Sequence, residues 1–308
     1  MDSFSLPPDA WIPFTLLAAF FQNLRSALQK HLKGRLSNNA AAYARFLYAL
    51  PFAALYLWFL LRVPGTGLPP VNGRFLLYCL FGGVCQIIFT AMLLWMFSFR
   101  SFAVGTTFSK LEVVSVAVFG AMFLGDRLTH QGVFAIAICT LGVVALSSRQ
   151  TGVTAVSVAR DLWGKETAIG LVCSLFLGAS VVFFRAASLS LGHEDAMVSA
   201  AFTLVVALCI QCMVMGAWLI IVEPQQLRAL VSEWKWAGIV GIAGTLASIG
   251  WFTAFTLQNA SYVRTLGQVE LLFTYLFTTR IFKEQVSRIE IIGIALVALG
   301  IVILLLSG

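Results

Sequence analysis

Apolar residues run in long, nearly unbroken stretches along the chain, separated by short polar or Gly/Pro-containing breaks. A stretch of about 20 apolar residues is long enough to cross a bilayer as a helix. None alternates with the period of two that membrane-barrel strands would show. Ten spans are predicted, approximately Trp11–Gln29, Ala40–Leu61, Phe75–Phe97, Phe102–Leu124, Thr129–Ser147, Thr167–Leu191, Met197–Val222, Trp236–Leu257, Ala260–Phe282 and Ile289–Leu306. The longest break, Ser148–Glu166, leaves five spans on either side. The expected organisation is a first repeat over 1–147, a linker over 148–166 and a second repeat over 167–308. Within the short loops, Glu223–Lys235 has Leu227, Leu230, Val231 and Trp234 at helical spacing. It reads either as a short interfacial helix or as a solvated loop.

A shift of 158 residues lays Ala103–Leu146 on Ser261–Leu304 without gaps. Thr107 then falls on Thr265, Glu112 on Glu270, Phe119 on Phe277, Gly142 on Gly300 and Asp126 on Glu284. Coincident Ala and Leu mean little between apolar helices; a buried Glu in register with a Gly means more. Because each half has an odd number of spans, the two halves must run in opposite orientations. The expected fold is therefore an all-α integral membrane protein of ten transmembrane helices, arranged as a 5+5 inverted-topology repeat. Secondary transporters are built this way, with the substrate site near the midplane.

Composition agrees with this pattern. Of 308 residues, 60% are hydrophobic and 11% charged, with mean hydropathy +0.93; an ordinary soluble enzyme is nearer a quarter charged. The net charge of +7 comes from basic residues scattered between spans, so no nucleic-acid partner is expected. All six Cys lie in apolar segments, where Cys packs as a small hydrophobe; neither a disulfide framework nor a zinc site is indicated. Met1–Asp9 is acidic and holds Pro7 and Pro8, unlike a cleavable signal. Loops after odd-numbered spans hold twelve Lys and Arg: Lys30, Lys33, Arg35, Arg100, Arg149, Arg160, Lys165, Arg228, Lys235, Arg280, Lys283 and Arg288. Those after even-numbered spans hold Arg62, Arg74 and Arg127. The positive-inside rule then places both termini outside.

Three segments carry a family resemblance: "FQNLRSALQKHL" at the end of span one, "YARFLYALP" in span two, and the helix pair "KLEVVSVAVFGAMFLGDRLTHQGVFAIAICTLGVVAL" repeated as "QVELLFTYLFTTRIFKEQVSRIEIIGIALVALGIVIL". With them the chain resembles the EamA-type ten-helix family of the drug/metabolite transporter superfamily. That resemblance implies a 5+5 inverted-repeat carrier with a central cavity, moving small metabolites or drugs without ATP. It also implies termini inside, against the charge bias. The family often has Pro directly after the repeated Glu. Val113 and Leu271 stand there, so no Pro kink is expected in spans four and nine.

Ionisable residues inside a span are costly and are functional candidates by default. Glu112 lies ten residues into span four, roughly 15 Å from its end, and Glu270 matches it in span nine. Two readings stand for this pair: proton coupling with substrate contact, or buried pairing that fixes packing. Five cations also lie within spans. Arg25 and Arg45 read equally as cavity residues and as snorkelling ones, whereas Arg185 is expected to snorkel. Arg264 precedes Gln268 by one turn on the same face. Lys110 is the deepest, and at two positions from Glu112 it faces another side of the helix. Gln22, Asn23 and Gln86 add neutral hydrogen-bonding capacity in spans one and three. The candidate substrate-binding set is Gln22, Asn23, Arg25, Arg45, Gln86, Lys110, Glu112, Arg264, Gln268 and Glu270, with Glu112 and Glu270 as proton-coupling candidates. Gly238, Gly241 and Gly244 form a small-residue stripe that reads as close helix packing.

More cations than deep carboxylates make a basic interior, which attracts anionic groups and repels lipophilic cations. The expected function is secondary active transport, as an exporter, of small anionic or zwitterionic metabolites such as amino acids across the bacterial inner membrane. The alternative is multidrug or cationic-compound efflux through Glu112 and Glu270. The expected partners are a small-molecule substrate and the lipid bilayer, with the chain a monomer or a homodimer. No GxxxxGK[ST], HExxH or GxSxG sequence is present, so neither an ATP-driven pump nor an enzyme is expected, and no cofactor is.

Overall fold

The protein is described from a computed structural model over residues 6–32, 35–96, 109–150, 165–273 and 288–306. These residues form helices and no strand. In chain order they are α1 (Trp11–Leu32), α2 (Asn38–Leu47), α3 (Leu50–Leu60), α4 (Gly73–Met96), α5 (Glu112–Phe119), α6 (His130–Gln150), α7 (Lys165–Ser190), α8 (Ala196–Val222), α9 (Pro224–Ser232), α10 (Trp234–Leu257), α11 (Ala260–Gly267) and α12 (Arg288–Leu306). The start of the expected fourth span, most of the linker, and the end of the ninth span with Phe277 and Glu284 lie outside the described residues.

Among the described residues, six segments are long and apolar enough to cross a membrane: Asn38–Leu60, Gly73–Leu93, Thr167–Ser190, Ala196–Val222, Trp234–Leu257 and Ile289–Leu306. In α1, Gln22, Asn23 and Arg25 interrupt the apolar run. Large apolar side chains point outward, including Ile221 at 79% and Met122 at 71% exposure. Such a surface would be unstable in water and suits lipid.

The second expected span is two helices. It breaks at Tyr48–Ala49 because Pro51, in the first turn of α3, has no N–H to give the preceding turn and its ring crowds that turn's carbonyl. Glu223–Lys235 resolves in favour of a helix, α9, which buries Leu230 and exposes Val231.

The described helices form two compact units, each drawing on both halves of the chain. The first comprises Met1–Ile87 and Phe183–Gln258. Here α1 lies along α10. Gly250 permits that approach, since a methyl there would meet the Phe14 carbonyl oxygen at 2.6 Å. Leu57 and Leu60 of α3 pack on Val198 and Ala201 of α8. Phe75 and Cys79, early in α4, pack on Ala187 and Leu191. Polar loop contacts close one end: Arg35 pairs with Glu233 at 3.1 Å, and Ser37 and Asn39 both donate to the Glu223 carboxylate.

The second unit comprises Ile88–Val182 and Asn259–Gly308. Its main seam is α6 against α12. The glycines matched by the repeat both lie in this seam. A methyl at Gly142 would sit 2.7 Å from the Gly293 carbonyl oxygen and the Val297 nitrogen, and one at Gly300 would sit 2.8 Å from the Cys139 nitrogen. Small residues thus let the two backbones touch, which is how helices associate where lipid offers no hydrophobic drive.

Spans four and nine have no Pro after the repeated Glu, but both are interrupted among the described residues. Ser109 is helical, Lys110 and Leu111 form a turn, and α5 starts at Glu112; α11 likewise ends at Gly267, Gln268 is a turn, and helix resumes after it. The breaks coincide under the shift of 158. They arise without proline. The Leu111 carbonyl accepts from both Val114 and Ser115, and the Gln268 N–H reaches back three residues to Thr265 instead of four, a local tightening to 3₁₀ geometry.

Candidate functional site

A polar pocket opens within the first unit. Arg25 from α1, Arg45 and Phe46 from α2, Gln86 from α4, Gln211 from α8, and Ser248 and Phe252 from α10 line it, with Leu204, Ala207, Leu208 and Gly244. Its cavity volume is about 30 Å³, and it opens to solvent. The spacing explains the lining: 204, 207, 208 and 211 share one face of α8, and 244, 248 and 252 share one face of α10. Gly244 borders the Arg25 stem, and a methyl there would make an ordinary contact with Arg25 Cδ at 3.4 Å. The Arg45 guanidinium stands 4.6 Å from the Phe46 ring centre, a cation–π contact suited to a planar cation. Gln211 is 2% exposed and its amide donates to Gln86 Oε1. Among the described residues, no acidic side chain lines the pocket.

Arg25, Arg45 and Gln86, all expected from sequence, therefore meet in one place. Gln22 and Asn23 are not among the lining residues; Gln22 Oε1 accepts from Trp251 Nε1 at 2.9 Å. Sequence reading missed Gln211 and Ser248. A lone Gln inside the apolar run of span seven was a usable signal for the first, whereas a Ser in a helix is too common to stand out.

The other five candidates lie in the second unit. Arg264 of α11 pairs with Glu112 at the start of α5. Lys110 Nζ is 3.8 Å from Glu270 Oε1. Each carboxylate is thus met by a cation from the other half of the chain, although Lys110 and Glu112 are near neighbours in sequence. The two pairs differ in depth. The Arg264 and Glu112 side chains are 10% and 7% exposed, while those of Lys110 and Glu270 are 35% and 12% exposed. Gln268 is 2% exposed and donates from Nε2 to the Arg264 carbonyl at 3.3 Å. Beside this cluster, the Tyr262 hydroxyl accepts from the Thr129 N–H at 3.0 Å and anchors the loop before α6.

Arg185 does not snorkel. It is 9% exposed, and its Nη1 donates to the carbonyls of Phe255, at 2.7 Å, and Gln258. The last carbonyls of a helix lack intrahelical donors and carry partial negative charge. The end of α10 thus holds the cation inside the first unit. The glycine stripe packs in part as expected: a methyl at Gly241 would strike the Tyr48 carbonyl at 2.6 Å, Gly244 floors the pocket, and Gly238 faces open space.

Apolar helices with outward-facing hydrophobic side chains, buried ion pairs and a polar pocket are the features of a multi-pass membrane protein. The EamA-like transporter family model matches this chain twice, over residues 9–148 and 165–306. The chain belongs to the EamA-like transporter family, and so is a membrane transporter of small molecules. A solved structure titled "Crystal structure of protein" is similar along its whole length, with a TM-score of 0.69 and 15% identity, covering 98% of this chain and 99% of that one. At that identity the likeness shows the fold alone. No curated protein matches the chain.

Proposed function

We propose that the protein is a secondary active transporter that exports small anionic or zwitterionic metabolites, and that the pocket of Arg25, Arg45, Gln86, Gln211 and Ser248 is its substrate site. The observation that carries this reading is the lining: two guanidinium groups and, among the described residues, no carboxylate. Positive charge in a confined, low-dielectric setting attracts anionic groups and excludes cations. The alternative of cationic efflux through Glu112 and Glu270 is disfavoured, because both carboxylates already hold a cation of the chain.

The frame for this activity is ten transmembrane helices in a 5+5 inverted repeat, in the bacterial inner membrane. The Glu112 and Glu270 pairs, each joining the two halves beside an interrupted helix, are the coupling element. Proton exchange at the more exposed Glu270 pair is the step that links transport to a gradient. Arg35 and Glu233, from loops after odd-numbered spans, meet on one side. The charge bias makes that side cytoplasmic; a terminal reporter active only in the cytoplasm would reverse the assignment by giving signal.

Proteoliposome exchange tests the main reading. Labelled anionic or zwitterionic metabolites should exchange through the wild type, and Arg45→Ala should reduce exchange at least tenfold. Exchange confined to lipophilic cations, and unaffected by Arg45→Ala, would overturn it.

A further inference from the structure

The span formed by α2 and α3 ends, after α3, at Arg62, whose guanidinium stands 4.6 Å from the Trp58 ring centre. At its opposite end lies α9, whose inner side is pinned to it. The Ser37 N–H donates to Gln226 Oε1 and the Tyr48 hydroxyl donates to the Leu230 carbonyl, over a Leu230 that is buried. The outer side of α9 turns away from the unit. Arg228, Val231, Ser232 and Lys235 are exposed there at helical spacing, which carries across the turn because the Glu233 N–H still reaches the Ala229 carbonyl. Among the described residues, neither Arg228 nor Lys235 makes an ion pair or a hydrogen bond; Lys235 Nζ lies 5.8 Å from the Trp234 ring centre. The two carboxylates of this corner are engaged: Glu223 accepts from Ser37 and Asn39, and Glu233 pairs with Arg35. The exposed apolar surface runs into the same corner, through Ile220, Ile221 and Val222 on one side and Val231 and Trp234 on the other.

We propose that this corner binds the headgroup of an anionic phospholipid, with Arg228 and Lys235 on its phosphate and Trp234 beside them at the membrane–water boundary. Exposed Ile and Val belong against acyl chains, and Trp settles where hydrocarbon gives way to water. Lys and Arg at that level are drawn to anionic headgroups. An amphipathic helix flanked in this way lies in the interface. Continuity with the lipid-facing surface of α8 selects a lipid over a dissolved anion, which would leave Val231 and Trp234 uncovered.

The test uses the full chain in nanodiscs of phosphatidylglycerol or of phosphatidylcholine with the same acyl chains. Hydrogen exchange along α9 and the following turn should be about fivefold slower in phosphatidylglycerol. Native mass spectrometry from an equal mixture should show phosphatidylglycerol retained over phosphatidylcholine by about the same factor. The double variant Arg228→Gln with Lys235→Gln should lose that preference, whereas Arg62→Gln, at the other end of the span, should keep it. Equal exchange in the two lipids, or retention that the double variant leaves unchanged, would overturn the proposal. So would equal protection of α9 by free glycerol 3-phosphate in phosphatidylcholine nanodiscs, which would mark a site for soluble anions. The exchange measurement needs only the wild type and decides the matter even if the double variant does not fold.

Discussion

Replacing Glu112 by Gln keeps the side chain's volume and removes its charge, which isolates the electrostatic part of the Arg264–Glu112 pair. Both side chains are about nine-tenths buried. A guanidinium left there without its counter-charge loses the attraction that offset its desolvation, and breaking such a pair costs about 3–5 kcal/mol. Loss of an acid from the first turn of α5 adds about 0.3–1 kcal/mol through the helix dipole. Glu270→Gln is the internal control. Its Lys110 partner is 3.8 Å away and a third exposed, while Glu270 itself is 12% exposed, so solvent screens that pair to about 1 kcal/mol or less, with a smaller further loss from the attraction of Glu270 for Arg264. Thermal and denaturant unfolding of the purified protein in one detergent should therefore rank Glu112→Gln far below Glu270→Gln. The double variant Glu112→Gln with Arg264→Gln should recover roughly 2 kcal/mol or more relative to additivity, because it removes both buried charges together. Equal losses for the two single glutamates, or an additive double variant, would refute the assignment of Arg264 to Glu112 as the pair that holds the second unit together.

Gly142→Val should lower thermal stability by about 1–3 kcal/mol or more, since its side chain would enter the α12 backbone at 2.7 Å; Gly238→Ala, which meets nothing within 4 Å, should melt like the wild type in the same scan. Arg185→Met should cost about 1.5–3 kcal/mol by leaving the Phe255 and Gln258 carbonyls without their charged donor, read as increased hydrogen exchange at the C-terminal end of α10. Trp251→Phe removes the donor to Gln22 while keeping an aromatic ring, and should cost about 0.5–1.5 kcal/mol in the same unfolding assay.

Much of this protein is legible in the order of its residues. A helix in lipid must satisfy its own backbone and face hydrocarbon, so apolar runs mark its position along the chain. Six of the described segments are accordingly long and apolar enough to cross a membrane, although helix is interrupted within spans two, four and nine. The repeat is equally local information: Gly142 and Gly300 stand out by register and both pack in the α6–α12 seam. The buried charges follow from the same logic, since an ionisable residue in an apolar run is conspicuous.

Partnership was not readable. Lys110 is two residues from Glu112 but meets Glu270, while Glu112 takes Arg264 from the other half of the chain. A spacing of two residues does not favour the near pairing, and no sequence rule selects among distant cations. Arg185 shows the same limit. Its distance from a span end allowed an exit to the interface, but the carbonyls at the end of α10 offered a nearer counter-charge. The pocket was half legible for the same reason: Arg25, Arg45 and Gln86 stand out one by one, whereas Gln211 and Ser248 join them through the faces of α8 and α10 that turn toward the cavity. The bilayer constrains each helix separately and so writes the spans into the sequence. Which side chains meet depends on how helices far apart in the chain pack against one another, and that was decided only by the tertiary structure.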